Sequence, residues 1–305
     1  MIDRAIKKLK TAAAISEQYY NKPLIVTYSG GKDSDVILDL ALQSGIGFEV
    51  VHSHTTVDAP QTYYHVRDVF KRLECEGIKC TRLFPKYQGD RITMWDLIPK
   101  KLMPPTRLAR YCCDVLKEQT TPNRFIALGV RRAESGTRGG YSDFGVEGLR
   151  DVGFDLAHVE EVYAEAQTHD EVYDCRFIAE AKKNRKLMVS PIVDWTDRDV
   201  WRYIRDKKIK YNPLYDMGYS RVGCVGCPMA SSSRWKEFRD FPQYKHNYIL
   251  AFDRMLDELK KRGLKNKTTW RSADEVFDWW MENKQIKGQL EFDFNNNGVK
   301  LPFLS

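Results

Sequence analysis

Ser29-Gly30-Gly31-Lys32-Asp33-Ser34 brings two glycines, a cation, a carboxylate and two hydroxyls into one short stretch of a 305-residue chain. Glycines let successive backbone N–H groups converge, and convergent amides at the start of a helix attract phosphate oxygens. Lys32 adds positive charge for those phosphates, and Asp33 suits the magnesium that accompanies a nucleoside triphosphate. Ser29 and Ser34 can donate hydroxyls. The spacing is not G-x-x-x-x-G-K-[ST], so this is no Walker loop. The cysteines form a second group. Of seven, the pair Cys112-Cys113 and the run Cys224-x-x-Cys227 suit a metal site better than a disulfide framework. Thiolates serve iron–sulfur clusters and zinc alike, and Gly223 and Gly226 permit the tight backbone of a C-x-x-C turn. Cys75, Cys80 and Cys175 lack a partner pattern and read as structural.

Elements must place these residues. Ile2, Ile6, Leu9 and Ala13 recur at helical spacing and predict an amphipathic first helix that Lys22-Pro23 ends. Leu24 to Tyr28 is a β-former run of the kind buried on both faces of a sheet. Val36, Ile37, Leu40 and Ala41 then restore a helical period as far as Gly45. The alternation continues with strands at 48–53, 78–83, 124–130 and 187–192, a helix at 61–74, and capping pairs Thr196/Asp199 and Ser272/Glu275. The expected fold is α/β, a doubly wound, mostly parallel, Rossmann-like sheet with a helical C-terminal region. We place one domain at 1–230, with an insertion at about 139–186 whose pattern shows no clear element, and a helical region at 231–305. The aromatics of 276–281 read as core, and 295–298 as a flexible tail. Ligands of such sheets bind beyond the carboxyl ends of the strands, here the loops after Tyr28, Ser53 and Val130.

Hydrophobic residues make up 42% of the chain and charged residues 30%, enough for a core and outside the range of disordered chains. No run reaches the ~18 apolar residues of a membrane span, and Met1-Ile2-Asp3-Arg4 opens no signal peptide, so a cytoplasmic location with no membrane partner is expected. A formal charge of +7 favours anionic partners. Lys207, Lys208 and Lys210, and Lys260, Lys261, Arg262, Lys265 and Lys267, form basic patches that suit a polyanion or a solvated helix face.

Ser-Gly-Gly-Lys-Asp-Ser after a first strand resembles the PP-loop of ATP pyrophosphatases, which cleave ATP between the α and β phosphates. Gly129-Val130-Arg131-Arg132-Ala133-Glu134-Ser135-x-x-Arg138 resembles the G-x-R-x-x-E-S block of phosphoadenosine phosphosulfate reductase-like proteins, and Pro191 to Trp201 resembles another of their blocks. The likeness runs from about Leu24 to Pro228 and implies a fold of the adenine nucleotide alpha hydrolase type. It implies catalytic roles for Lys32, Asp33, Arg131 and Glu134. Arg131 and Arg138 would clamp a phosphate or sulfate, Glu134 would orient an arginine or a ribose hydroxyl, and Gly129 would border the nucleotide. Asp58 lies in the loop where the family binds adenosine. His52 and His54 read as satisfied polar residues.

Arg110 to Lys117 and Arg221 to Pro228 resemble the segments that hold a 4Fe-4S cluster in the adenylyl-sulfate reductase branch. The implied ligands are Cys112, Cys113, Cys224 and Cys227, with zinc as the alternative group. If only one of the adjacent cysteines binds, one iron stays open to sulfide. The family's reductases attack sulfur with a C-terminal cysteine, and no cysteine follows Cys227 in this sequence. The intact loop points instead to ATP and magnesium, with adenylation of a substrate oxygen, release of pyrophosphate and sulfur transfer. This resembles DNA phosphorothioation enzymes and cluster-dependent thiolases, and implies a nucleic-acid partner (DNA or tRNA) and a sulfur donor such as a cysteine desulfurase. The alternatives are a reductase of adenylyl sulfate, or of its 3'-phosphorylated form, that releases sulfite using a nucleophile from another chain, and a non-catalytic nucleotide- or nucleic-acid-binding iron–sulfur subunit.

Overall fold

The computed structural model describes residues 1–118, 121–134, 140–148, 153–168, 176–183, 185–230, 232–264, 270–282, 291–293 and 298–300. Two compact units interleave along the chain. The first comprises Met1–Ser53, Pro60–Leu83 and Thr120–Val222, and the second comprises His54–Ala59, Phe84–Gln119 and Gly223–Ser305.

In the first unit α1 (Ile2–Tyr20), β1 (Leu24–Thr27), α2 (Lys32–Ser44), β2 (Phe48–Ser53), α3 (Pro60–Cys75) and β3 (Cys80–Leu83) follow the expected alternation. β6 (Phe125–Ala127), β9 (Leu187–Val189) and α8 (Asp197–Asp206) continue it. β2 and β6 flank β1, with β3 beyond β2 and β9 beyond β6, and all four pairings are parallel. The strand order therefore reverses at β1, the position beyond whose carboxyl end sheets of this kind bind ligands. β1 is buried on both faces because its neighbours are too. Leu24 and Val26 join the main core with α1, α2 and α8, while Ile25 packs on the other face with Val51 and Ile126. Thr196 and Asp199 form the expected capping box at α8.

The stretch 139–186 is not featureless. It supplies β7 (Phe144–Val146), β8 (Gly153–Phe154), α6 (Leu156–Thr168) and α7 (Arg176–Lys182), and β7 joins β9 antiparallel to end the parallel run. Strands of two or three residues are too short to show a period of two, which is why the pattern conceals them. Asp143, just before β7, pairs with Lys8 of α1 at 2.6 Å, both side chains being buried, and accepts the Leu156 N–H at 3.1 Å. The added edge is thus tied to the first helix.

The second unit holds the hairpin β4 (Lys86–Tyr87) and β5 (Asp90–Arg91), then α4 (Met94–Lys101) and α5 (Tyr111–Cys113), which runs on into a single wide turn over Asp114–Glu118. α9 (Ser233–Asp240), α10 (Pro242–Lys261) and α11 (Ala273–Glu282) make it helical, and β10 (Glu291–Asp293) pairs with β11 (Gly298–Lys300). Val276, Phe277, Trp280 and Met281 are buried, as their spacing predicts, and Ser272 Oγ accepts the Glu275 N–H at 3.3 Å. Lys260 and Lys261 pair with Asp257 and Glu258 of their own helix at 3.1 and 3.0 Å, which favours a solvated face there. Lys265 and Lys267, and 295–297 of the expected tail, lie outside the described residues, whereas Gly298 opens β11. Among the described residues no helix is long and apolar enough to cross a membrane.

Candidate phosphate site and thiol site

The loop after β1 is held from both sides. Gly30 has φ +76°, a left-handed conformation, and a Cβ there would lie 3.0 Å from Val66 Cγ2 and 3.2 Å from Thr62 Cγ2. Both conditions call for glycine. Asn212, fully buried, donates Nδ2–H to the Gly30 carbonyl at 2.9 Å and to Thr62 Oγ1 at 3.1 Å. Gly31 caps α2. Its N–H reaches Ser34 Oγ at 3.1 Å, and Ser34 Oγ–H returns to the Gly31 carbonyl at 2.7 Å. Ser29 Oγ lies 3.3 Å from Ser34 Oγ. Below the loop, the Tyr28 hydroxyl donates to Asp35, and His65 Nε2 sits 3.0 Å from the same carboxylate. Burial, reinforced by Asp35, pushes the Tyr28 phenol well above its ordinary value. This buried network fixes the first turn of α2, whose dipole favours an anion at its start.

Lys32 and Asp33 are then placed by residues far along the chain. Arg131 is 3% exposed. Its Nε donates to Asp33 Oδ1 at 2.6 Å, one Nη to Asp197 Oδ1 at 3.1 Å and the other to the Trp195 carbonyl at 3.4 Å. Lys32 Nζ lies 3.1 Å from Asp197 Oδ1 and 3.4 Å from Asp33 Oδ2. Arg131, expected to clamp an anion, here donates to two carboxylates and so holds Asp33 in place. Asp197, Asn212 and Tyr215, which touch the loop or its lysine, were not legible as site residues. The one local signal was the turn-forming Asn212-Pro213 pair.

Gly129 sits where β6 leaves the sheet. A Cβ there would lie 3.2 Å from Asp33 Cβ and 3.4 Å from the Ser34 nitrogen, over the amide side of the loop. Gly129→Ala is therefore expected to weaken binding of a nucleoside triphosphate by about tenfold, the scale of one hydrogen bond to a charged group, with the melting temperature little changed. Titration calorimetry on both proteins checks this, and equal affinities would remove Gly129 from the site. Glu134 ends a short 3₁₀ turn (Arg132–Glu134) with its side chain exposed, and Arg138 lies outside the described residues.

The four thiols share the second unit. Cys112 and Cys113 close α5, and Cys224 and Cys227 lie on a turn whose Gly226 has φ +76°. The Cys112 S–H donates to Cys113, which raises Cys112 and lowers Cys113, and the Arg110 guanidinium at 3.4 Å lowers Cys113 further. Burial pushes the Cys224 thiol up against the pull of Lys117, and Lys117 is in turn raised, chiefly by Cys224. Asp58, expected in the nucleotide loop, lies in this unit. Its carboxylate accepts the Thr55 N–H at 2.9 Å, its carbonyl accepts the Tyr244 hydroxyl at 2.6 Å, and its backbone bridges Cys224. His54 also lies in this unit, with Nδ1 at 3.6 Å from Asp58, while His52 in the first unit holds the Tyr28 carbonyl at 2.8 Å. Of the other cysteines, Cys80 is half-buried with its thiol pushed up to about 11 by burial, Cys75 is exposed at the end of α3 and fills no core, and Cys175 lies outside the described residues.

A parallel sheet whose order reverses above a glycine-bearing turn and a helix start, with lysine and carboxylate at its mouth, defines a nucleotide-binding α/β protein. The chain belongs to the phosphoadenosine phosphosulfate reductase domain family, whose model matches residues 23–230. It is 26% identical over 218 residues to an adenosine 5'-phosphosulfate reductase of Anoxybacillus flavithermus, covering 68% of this chain and 74% of that protein. It is 27% identical over 274 residues to an uncharacterized protein of Methanocaldococcus jannaschii, covering 86% of this chain and 55% of the relative. A solved phosphoadenylyl-sulfate reductase from Candida auris, in complex with phosphate, is similar with TM-score 0.42 and 18% identity, covering 73% of this chain and 93% of that one.

Proposed function

We propose that the first unit binds ATP with its phosphates on the Ser29–Ser34 loop and cleaves it between the α and β phosphates, activating an acceptor for sulfur transfer. The observation that carries this reading is the Asp33 carboxylate, held at the loop mouth by Arg131 at 2.6 Å with Lys32 Nζ beside it. A carboxylate fixed next to a phosphate cradle would repel a bare anion, but it suits an anion that arrives with a cation. The site therefore fits magnesium through Asp33, and the metal would neutralise charge on the departing pyrophosphate. An acceptor oxygen forms a bond to the α-phosphorus as the α–β bridging bond breaks, and the bond's electrons leave with pyrophosphate. Lys32 exchanges Asp197 for phosphate oxygens and stabilises that charge. Sulfur then displaces AMP, which departs with the acceptor's oxygen.

Cys112, Cys113, Cys224 and Cys227 would hold a thiolate-bound group. By their chemistry the four thiolates suit an iron–sulfur cluster or zinc, and Arg110 and Lys117 offset their charge. A bound cluster would supply redox or sulfide-binding chemistry. The acceptor we favour is a nucleic acid, and the sulfur comes from a donor protein.

A second reading, reduction of adenylyl sulfate to sulfite, is supported by the relatives named adenosine 5'-phosphosulfate reductase. Anaerobically purified protein is incubated with magnesium and ATP labelled at the α or γ position, alone and with DNA or tRNA. AMP and pyrophosphate are the expected products, while ADP and phosphate would refute the proposal. Sulfite from adenylyl sulfate and a thiol, without ATP cleavage, would select the second reading.

A further inference from the structure

Two groups of one turn grasp the phosphate loop on either side of Gly31. Asn212 holds the Gly30 carbonyl, and three residues later the Tyr215 hydroxyl accepts the Lys32 backbone N–H at 2.9 Å. The turn is self-supporting. Asn212 Oδ1 accepts the Leu214 N–H at 3.0 Å, and the Tyr215 N–H reaches the Asn212 carbonyl at 3.2 Å. The Tyr215 ring is also fixed, edge-on to Trp201 at 5.1 Å and with Lys32 Nζ at 5.6 Å from its centre. A Cβ on Gly31 would lie 3.5 Å from the Tyr215 oxygen, so that oxygen lies against the loop itself.

Accepting the Lys32 N–H uses a lone pair of the phenol and leaves its O–H to give. We propose that Tyr215 is a member of the anion site, a fixed hydroxyl that donates to a phosphate oxygen while the Lys32 amide polarises it from behind. The inference rests on the reading of this loop as a nucleotide phosphate site. Burial, together with Asp33, Asp35 and Asp197, pushes the phenol upward, so it remains a protonated donor across the working pH range. A neutral donor also completes the cradle without a further charge beside Lys32 and Arg131. Cooperative polarisation along N–H to O–H to phosphate strengthens the final bond.

Tyr215→Phe keeps the ring against Trp201 and Lys32 and removes only the oxygen. Calorimetry with Mg-ATP is expected to show affinity falling by about tenfold, with adenosine affinity unchanged. Incorporation of 3-fluorotyrosine at position 215, nearly the same size and a stronger donor, is expected to tighten Mg-ATP, a change that a packing role would not produce. This second protein decides the matter if the Phe variant does not fold. Unchanged ATP affinity in Tyr215→Phe, equal losses for ATP and adenosine, or tighter binding because the phenol had occupied the anion's place would each overturn the assignment. If the wild-type protein binds adenylyl sulfate but not Mg-ATP, the ATP reading fails, and the same comparison made with adenylyl sulfate decides Tyr215. Binding of neither nucleotide overturns both.

Discussion

Asp33→Asn is expected to reduce formation of AMP and pyrophosphate by about two to three orders of magnitude, the scale of removing a preorganised charge from a reacting phosphate. The substitution keeps shape and removes charge. In the native loop the carboxylate takes Arg131 Nε on one oxygen and faces Lys32 Nζ from the other, so its position does not depend on a bound metal. Asparagine cannot balance those cations or hold magnesium with comparable strength. Arg131, being buried, is left with Asp197 and the Trp195 carbonyl. The loss should appear in turnover at saturating ATP together with a raised magnesium requirement. Arg131→Ala should reproduce much of it without touching the nucleotide, because it releases Asp33. Wild-type rates in Asp33→Asn at ordinary magnesium would show that the carboxylate is not the metal's holder.

A methyl group at the centre of the second unit should be almost as damaging. Gly226, inside the C-x-x-C turn, has φ +76°, and a Cβ there would lie 2.6 Å from Phe238 Cζ, 2.9 Å from Tyr248 Cε2 and 3.0 Å from Trp280 Cη2. These rings cannot step aside. Tyr248 and Trp280 are 4.6 Å apart centre to centre, Phe238 packs on both, and the ends are tied by Tyr248 Oη to the Val225 carbonyl at 3.0 Å and by Trp280 Nε1 to the Pro105 carbonyl at 2.6 Å. The turn is anchored as well, since the Gly226 N–H reaches Glu237 at 2.6 Å. Overpacking plus a left-handed non-glycine residue should cost about 2–4 kcal/mol. Gly263→Ala in the same unit separates the two effects. It has φ +68° but nothing within 4 Å, so only the backbone cost of about 1 kcal/mol should remain. Thermal melts of the two variants, with iron, sulfide and zinc analysis, test this. If both variants melt alike, the aromatic cage does not constrain the turn, and if Gly226→Ala retains the full metal content, the turn is not needed to hold the group.

The sequence by itself determined the features that reside in a few neighbouring residues. Strand and helix periods around β1 and α2, the glycine turn between them, the Thr196 cap and the C-x-x-C spacing are local, and local sterics and hydrogen bonding suffice to specify them. The tertiary structure decided which distant groups meet those features. Arg131 reaches Asp33 across 98 positions, and Asn212 and Tyr215 reach the loop across 182 and 183. No periodicity encodes such meetings, because they follow from how strands order themselves in the sheet. Asp58 shows the same principle, since its place in the loop after β2 is local but its backbone pairing to Cys224 is not. Burial also holds Arg131 to carboxylate partners, since a guanidinium removed from water must be satisfied where it lies.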